Sequence, residues 1–174
     1  MNIVLIGYRC CGKTSAGKLI AEKLGRRFID TDELIVEKAG CGIDEMVSRH
    51  GWKYFRGIEK DVIKKVSAME NMVIATGGGV VTDEENVKNL KANGFVVCLY
   101  ADTDIIRERL YKDKRSAESR PSLTGDNPSD EIKNVLEQRK PLYMNASDVV
   151  VDTSQLNINE VADMVIDNLK TLES

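Results

Sequence analysis

The first fourteen residues constrain this chain most. The apolar run Ile3-Val4-Leu5-Ile6 passes directly into Gly7-Tyr8-Arg9-Cys10-Cys11-Gly12-Lys13-Thr14, a complete GxxxxGK[ST] phosphate-binding loop. Such a loop dictates its neighbours. Its backbone N–H groups wrap around phosphate oxygens while the helix that follows adds the positive end of its dipole, so it must join a buried strand to a helix. The sequence supplies both: Ile3–Ile6 on one side and, on the other, Lys13 to Leu24, with Ile20 and Leu24 on one face and Gly25 as a stop. Lys13 is expected to reach the outer phosphates, and the Thr14 hydroxyl to ligate the Mg²⁺ that accompanies a nucleoside triphosphate. Cys10, Cys11, Gly12 and Ser15 complete the expected cradle.

The remainder alternates between short apolar runs and helical patterns. Arg27-Phe28-Ile29 reads as a second strand that delivers Asp30-Thr31-Asp32 at its end. A polar helical region is expected from about Glu33 to Met69, broken near Gly40-Cys41-Gly42 and again at Gly51. Met72 to Ala75 reads as a third strand running into Thr76-Gly77-Gly78-Gly79. Then come a helix over about 83–92, a strand over 95–100, a helix over about 102–111, a helix from about Ser129, a strand over 148–151 and a final helix over about 157–172. Five strands separated by helices predict an α/β chain: a three-layer αβα domain over 1–174, with a parallel sheet and binding loops at the carboxyl ends of the strands. Segment 112–124 is polar and basic, with Leu123 as its one apolar anchor, and reads as a mobile lid.

Composition narrows the partners. A net charge of −3 with both signs interspersed lacks the concentrated basic surface that nucleic-acid binding needs, so an anion site must be local. No apolar run approaches a membrane span, and the amino terminus enters a strand with no signal-peptide layout, which together predict a cytoplasmic protein. The four cysteines, Cys10, Cys11, Cys41 and Cys98, show no metal-binding spacing. For Cys10 and Cys11 two readings stand: reactive thiols lowered by the helix dipole and Lys13, or small side chains packed into a tight loop.

The assembled motifs resemble the shikimate kinase family, a member of the nucleoside-monophosphate-kinase structural group. The resemblance spans nearly the whole chain. It rests on the phosphate loop, Phe28-Ile29-Asp30-Thr31-Asp32, Phe55-Arg56 with Glu59, Thr76-Gly77-Gly78-Gly79, Arg120-Pro121-x-Leu123, and Arg139-x-Pro141-Leu142-Tyr143. It implies a monomer with ATP-dependent transfer to the 3-hydroxyl of shikimate, on the path to chorismate and the aromatic amino acids. It also implies roles. Lys13, Asp32 and Arg120 would be catalytic. Arg120 and Gln155 would join the loop in holding ATP, and Thr14 with Asp30 would hold Mg²⁺. Asp32, Arg56, Gly78, Gly79 and Arg139 would hold the substrate.

These assignments make chemical sense for a small ring with one carboxylate and three hydroxyls. A guanidinium offers a carboxylate planar, directional donors, and successive glycines let a backbone approach closely. Taken singly the residues admit plainer readings. Arg56 and Arg139 fit solvated helix positions, and Asp30-Thr31-Asp32 fits a helix cap as well as a metal site. Two other functions remain open on sequence: a gluconate or nucleoside-monophosphate kinase on the same scaffold, and a catalytically silent binding relative. The chain departs from the family pattern at Cys10, where glycine is usual, and at Ser122 in the lid. A family arginine that packs on adenine has no unambiguous match among Lys112, Lys114 and Arg115.

Overall fold

Every residue of the first strand, β1 (Asn2–Ile6), is buried, as a central strand covered on both faces must be. In the computed structural model, which describes residues 1–112 and 128–173, β1 is the middle strand of a five-stranded parallel sheet. The others are β2 (Arg27–Asp30), β3 (Met72–Ala75), β4 (Gly94–Tyr100) and β5 (Val149–Asp152), in the order β2-β3-β1-β4-β5. Leu5 pairs with Ala75 on one side and with Val97 on the other, so the carboxyl ends of the three central strands finish side by side. The chain builds one flank of the sheet from β2 and β3 and then crosses to the other. This change of direction opens a crevice beside the end of β1, where the phosphate loop lies.

The helices are α1 (Lys13–Leu24), α2 (Thr31–Ala39), α3 (Ile43–Ser67), α4 (Glu84–Ala92), α5 (Thr103–Lys112), α6 (Pro128–Ala146) and α7 (Ile158–Glu173). Alternation along β1 divides the core in two. Ile3 and Leu5 pack with Ile20, Ile106 and Val165 on one face, and Val4 and Ile6 with Ile35, Ile63, Leu90 and Tyr143 on the other. The result is the expected three-layer α/β arrangement.

Several boundaries differ from expectation for local reasons. Helix α2 starts at Thr31, ahead of Glu33, because the Asp30 side chain accepts from the Asp32 N–H and caps it. The break at Gly51 is a single residue at φ 79, ψ 169, after which α3 resumes in a new direction. A 3-10 turn over Val80–Thr82, too short to carry a periodic signal, closes the glycine run through bonds from Val80 N to the Gly77 carbonyl and from Thr82 N to the Gly79 carbonyl. Lys112 is the last residue of α5, so it belongs to a helix rather than to the lid. The rest of the expected lid, with Lys114, Arg115, Arg120, Ser122 and Leu123, lies outside the described residues. Among the described residues no helix is long and apolar enough to cross a membrane.

Candidate active site

The phosphate loop closes tightly onto β4. Gly7 has φ 134, and a Cβ there would overlap the Leu99 carbonyl oxygen, so only glycine fits at the point where the chain leaves β1. At the other end of the loop the Lys13 ammonium is buried and donates to the carbonyl oxygens of Gly7 at 2.8 Å and Tyr8 at 2.7 Å. It thus lies across the mouth of the cradle it is expected to serve. Between these ends Cys10 adopts φ 61, a left-handed conformation that a side chain disfavours.

Thr14 and Asp30 meet at the edge of the loop. The Thr14 hydroxyl donates to Asp30 Oδ2 at 2.9 Å, while Asp30 Oδ1 accepts from the Asp32 N–H at 3.0 Å. Asp30 therefore caps α2 with one oxygen and faces the phosphate loop with the other. A hydroxyl and a carboxylate are hard oxygen donors suited to Mg²⁺. Among the described residues no cluster of three or more His, Cys, Asp or Glu could cage a metal alone. These two donors suit an ion that brings the rest of its ligands with it as phosphate oxygens and water.

Beside the loop, between α3, the glycine run and α6, opens a cleft whose walls include Arg9, Asp32, Arg56, Glu59, Gly77, Gly78, Gly79 and Arg139. The structure thus gathers all the expected substrate-holding residues into one place. Arg56 donates to Glu59 Oε2 at 2.6 Å and lies over the rings of Trp52 and Phe55, which fix the plane of its guanidinium. A side chain at Gly79 would overlap that guanidinium, and one at Gly77 would crowd Asp32 Oδ1 at 2.7 Å. A side chain at either glycine would thus push one of the two charged groups out of its present place. Burial pushes the Glu59 carboxyl above its ordinary range, with Arg56 opposing and Asp32 reinforcing the shift. On the opposite wall Arg139 donates to the Gly78 carbonyl at 3.1 Å and the Tyr143 hydroxyl to the same oxygen at 2.5 Å, so α6 clamps the glycine turn. Burial raises the Tyr143 hydroxyl well beyond its usual value and keeps it a donor.

On the far side of the loop lies a second hollow, lined by Cys10, Cys11, Gly12, Ser15, Arg109, Thr153 and Leu156 among others. Arg109 is the residue that sequence reasoning missed. From α5 it donates to the Cys10 carbonyl at 3.3 Å, to the Thr153 hydroxyl at 3.1 Å and to the Thr153 carbonyl at 2.7 Å, joining the phosphate loop to the turn after β5. One signal pointed to it: Arg109 stands three residues beyond Ile106, the buried residue of α5, and so shares the helix face turned toward the protein. Lys112, by contrast, pairs with Glu108 on the exposed face. Gln155 is exposed in the turn, where Thr153 and Leu156 on either side of it line the hollow. Burial raises the Cys11 thiol and pushes Cys98 up to about 12, so packing is the reading that holds for Cys11.

Comparison with known proteins agrees with this geometry. A sequence model of the family described as shikimate kinase matches residues 9–170. The shikimate kinase of Thermodesulfovibrio yellowstonii is 44% identical over 173 residues, covering 99% of this chain and 97% of its own. That of Syntrophus aciditrophicus is 41% identical, with 95% and 89% covered. Among solved structures, shikimate kinase from Acinetobacter baumannii in complex with shikimate superposes with a TM-score of 0.91 at 34% identity, over 98% of this chain and 93% of that one. A gluconokinase from Sinorhizobium meliloti shares the fold at a TM-score of 0.59 and 18% identity, over 98% of this chain and 92% of that one.

Proposed function

The chain belongs to the shikimate kinase family and phosphorylates shikimate with ATP; we propose that the acceptor is the ring's 3-hydroxyl and that the residues above divide the work between them. The observation that carries this is the cleft itself. Two fixed guanidinium groups, Arg56 and Arg139, share it with the Asp32 carboxylate, which stands beside the Gly77 turn next to the phosphate loop. The arginines suit the ring carboxylate and Asp32 suits the hydroxyls.

In this reading Asp32 accepts the hydroxyl proton as the ring oxygen attacks the γ-phosphorus. The bond from that phosphorus to the β–γ bridging oxygen breaks, and ADP leaves with the electron pair. Lys13 gives up its loop carbonyls for the phosphate oxygens and stabilises the charge that develops there. Thr14 and Asp30 would hold Mg²⁺, which supplies charge neutralisation across the phosphates. Arg109, Thr153 and Leu156, with Ser15 and the flanking Gln155, hold the nucleoside end. Arg120 completes the charge from the lid, and Gly78 and Gly79 admit the ring to close approach. The same reading takes the enzyme as a cytoplasmic monomer.

The test is the regiochemistry of the product. Phosphorus–proton coupling in the NMR spectrum of the purified reaction product should place the new phosphate on the 3-position of the ring. A phosphate on another hydroxyl, or release of inorganic phosphate alone, would overturn the assignment.

A further inference from the structure

Arg9 has no place in that division of labour, yet the structure holds it with care. It stands in the phosphate loop two residues beyond Gly7, but its side chain lines the acceptor cleft rather than the nucleotide hollow. Its Nη2 donates to Glu131 Oε1 of α6 at 2.9 Å, and the two side chains are 15% and 2% exposed. The guanidinium carbon lies 5.5 Å from the centre of the Tyr8 ring. Across the cleft, a Cβ on Gly78 would stand 3.4 Å from the Arg9 backbone nitrogen. Loop and glycine turn therefore touch at this residue, which sits where the nucleotide's phosphates and the acceptor ring must meet.

A latch between loop and helix does not require an ion pair. Two apolar side chains of similar volume serve a purely structural contact as well or better, because burying Glu131 carries a desolvation penalty. A guanidinium, however, can hold a carboxylate with one nitrogen and offer its remaining N–H groups to a second anion, and its plane keeps them aimed. Lys13 approaches the transferring group from the nucleotide side, and Arg56 and Arg139 suit the ring carboxylate. The acceptor side of the phosphoryl group is left to Arg9.

We infer that Arg9 is a further residue of phosphoryl transfer, meeting the phosphoryl group from the acceptor side as it arrives on the ring oxygen, and that Glu131 is the positioning residue that aims it. The inference rests on the shikimate kinase reading and deepens it. The residue is expected to bind the phosphorylated ring far better than the unphosphorylated one, since the phosphate is what it meets.

The experiment compares the wild-type chain with Arg9→Gln and with the double variant Arg9→Met/Glu131→Met. It reads melting temperature, kcat, and the dissociation constants of shikimate and shikimate 3-phosphate. In the double variant, melting should stay near the wild-type value while kcat and affinity for shikimate 3-phosphate each fall on the order of tenfold or more. Shikimate itself should bind within about twofold of wild type. A folded double variant with wild-type kcat and product affinity would reduce the pair to a structural latch and overturn the inference. If the double variant does not fold, Arg9→Gln decides, because it removes the charge while leaving Glu131 and a neutral N–H donor in place: retained product affinity overturns the inference and lost product affinity with retained shikimate affinity supports it. Wild-type turnover of shikimate, measured first, separates the two possible failures. An inactive wild type defeats the kinase reading, whereas an active wild type with fully active variants defeats only the role of Arg9.

Discussion

The Thr14 hydroxyl donates to the Asp30 carboxylate at 2.9 Å although sixteen positions separate them in the chain. The end of the phosphate loop is thereby tied to the end of β2. Since Asp30 also caps α2, charge and cap can be separated by one substitution. Asn caps a helix as well as Asp and still accepts a hydrogen bond, but it is a neutral ligand. Asp30→Asn should therefore melt close to wild type while the Mg²⁺ concentration giving half-maximal activity rises by roughly tenfold or more. An unchanged Mg²⁺ titration would remove Asp30 from the metal site.

Arg109 bridges Cys10 and Thr153 on the nucleotide side alone. Arg109→Ala should raise the KM for ATP at least several-fold, given the roughly 1.5 to 3 kcal/mol that a charged hydrogen bond carries. The KM for shikimate should hardly move. Parallel losses for both substrates would show that Arg109 supports the loop as a whole rather than the nucleotide.

Arg56 and Arg139 make the opposite prediction. Replacing either with lysine keeps the charge but removes the planar pair of donors, so each variant should raise the KM for shikimate strongly and that for ATP little. Equal effects on both substrates would mean that the arginines work through packing against Trp52, Phe55 and Gly78.

Cys10 holds a left-handed backbone at φ 61. A side chain in that conformation costs roughly 1–2 kcal/mol, from which the greater unfolded freedom of glycine takes back about 0.5–1 kcal/mol. Cys10→Gly should thus be more stable than Cys10→Ala by about 0.5–1 kcal/mol in denaturant unfolding. Alanine equal to or better than glycine would contradict the backbone assignment.

Glu59 fixes the sign of one pH effect. Burial raises its carboxyl above the ordinary value of 4.5 in the folded protein, against the opposing pull of Arg56. Between the unfolded and folded values the folded chain binds the proton more tightly, so this group makes stability fall as pH rises through that window. Glu59→Gln should remove that fall, and the stability difference between variant and wild type should shift in favour of the variant as pH rises above 4.5. A difference that shifts the other way would show that Arg56 outweighs burial.

Legibility in the sequence followed distance along the chain. The loop, its flanking strand and helix, and the glycine run were readable because each is a local pattern whose chemistry is complete within a few residues. The kink at Gly51 and the cap at Asp30 were readable for the same reason, though the sequence alone could not show that Asp30 does two things at once. The partners of Arg109 and the Arg9–Glu131 pair were not readable. The first joins positions 44 and 99 residues away, and the second spans 122, so only the fold brings their partners together. Glu59 was visible as part of a motif, three residues from Arg56 on the same helix, but its burial depends on how α3 packs after the kink.

The central claim is that the cleft beside the phosphate loop selects shikimate as phosphoryl acceptor. ADP release from ATP and Mg²⁺, measured with shikimate, gluconate or AMP as the added acceptor, tests it most directly. The account predicts rapid release with shikimate, background release with the other two, and loss of the shikimate signal in a folded Asp32→Asn variant. Background release with shikimate, or faster release with gluconate or AMP, would contradict it.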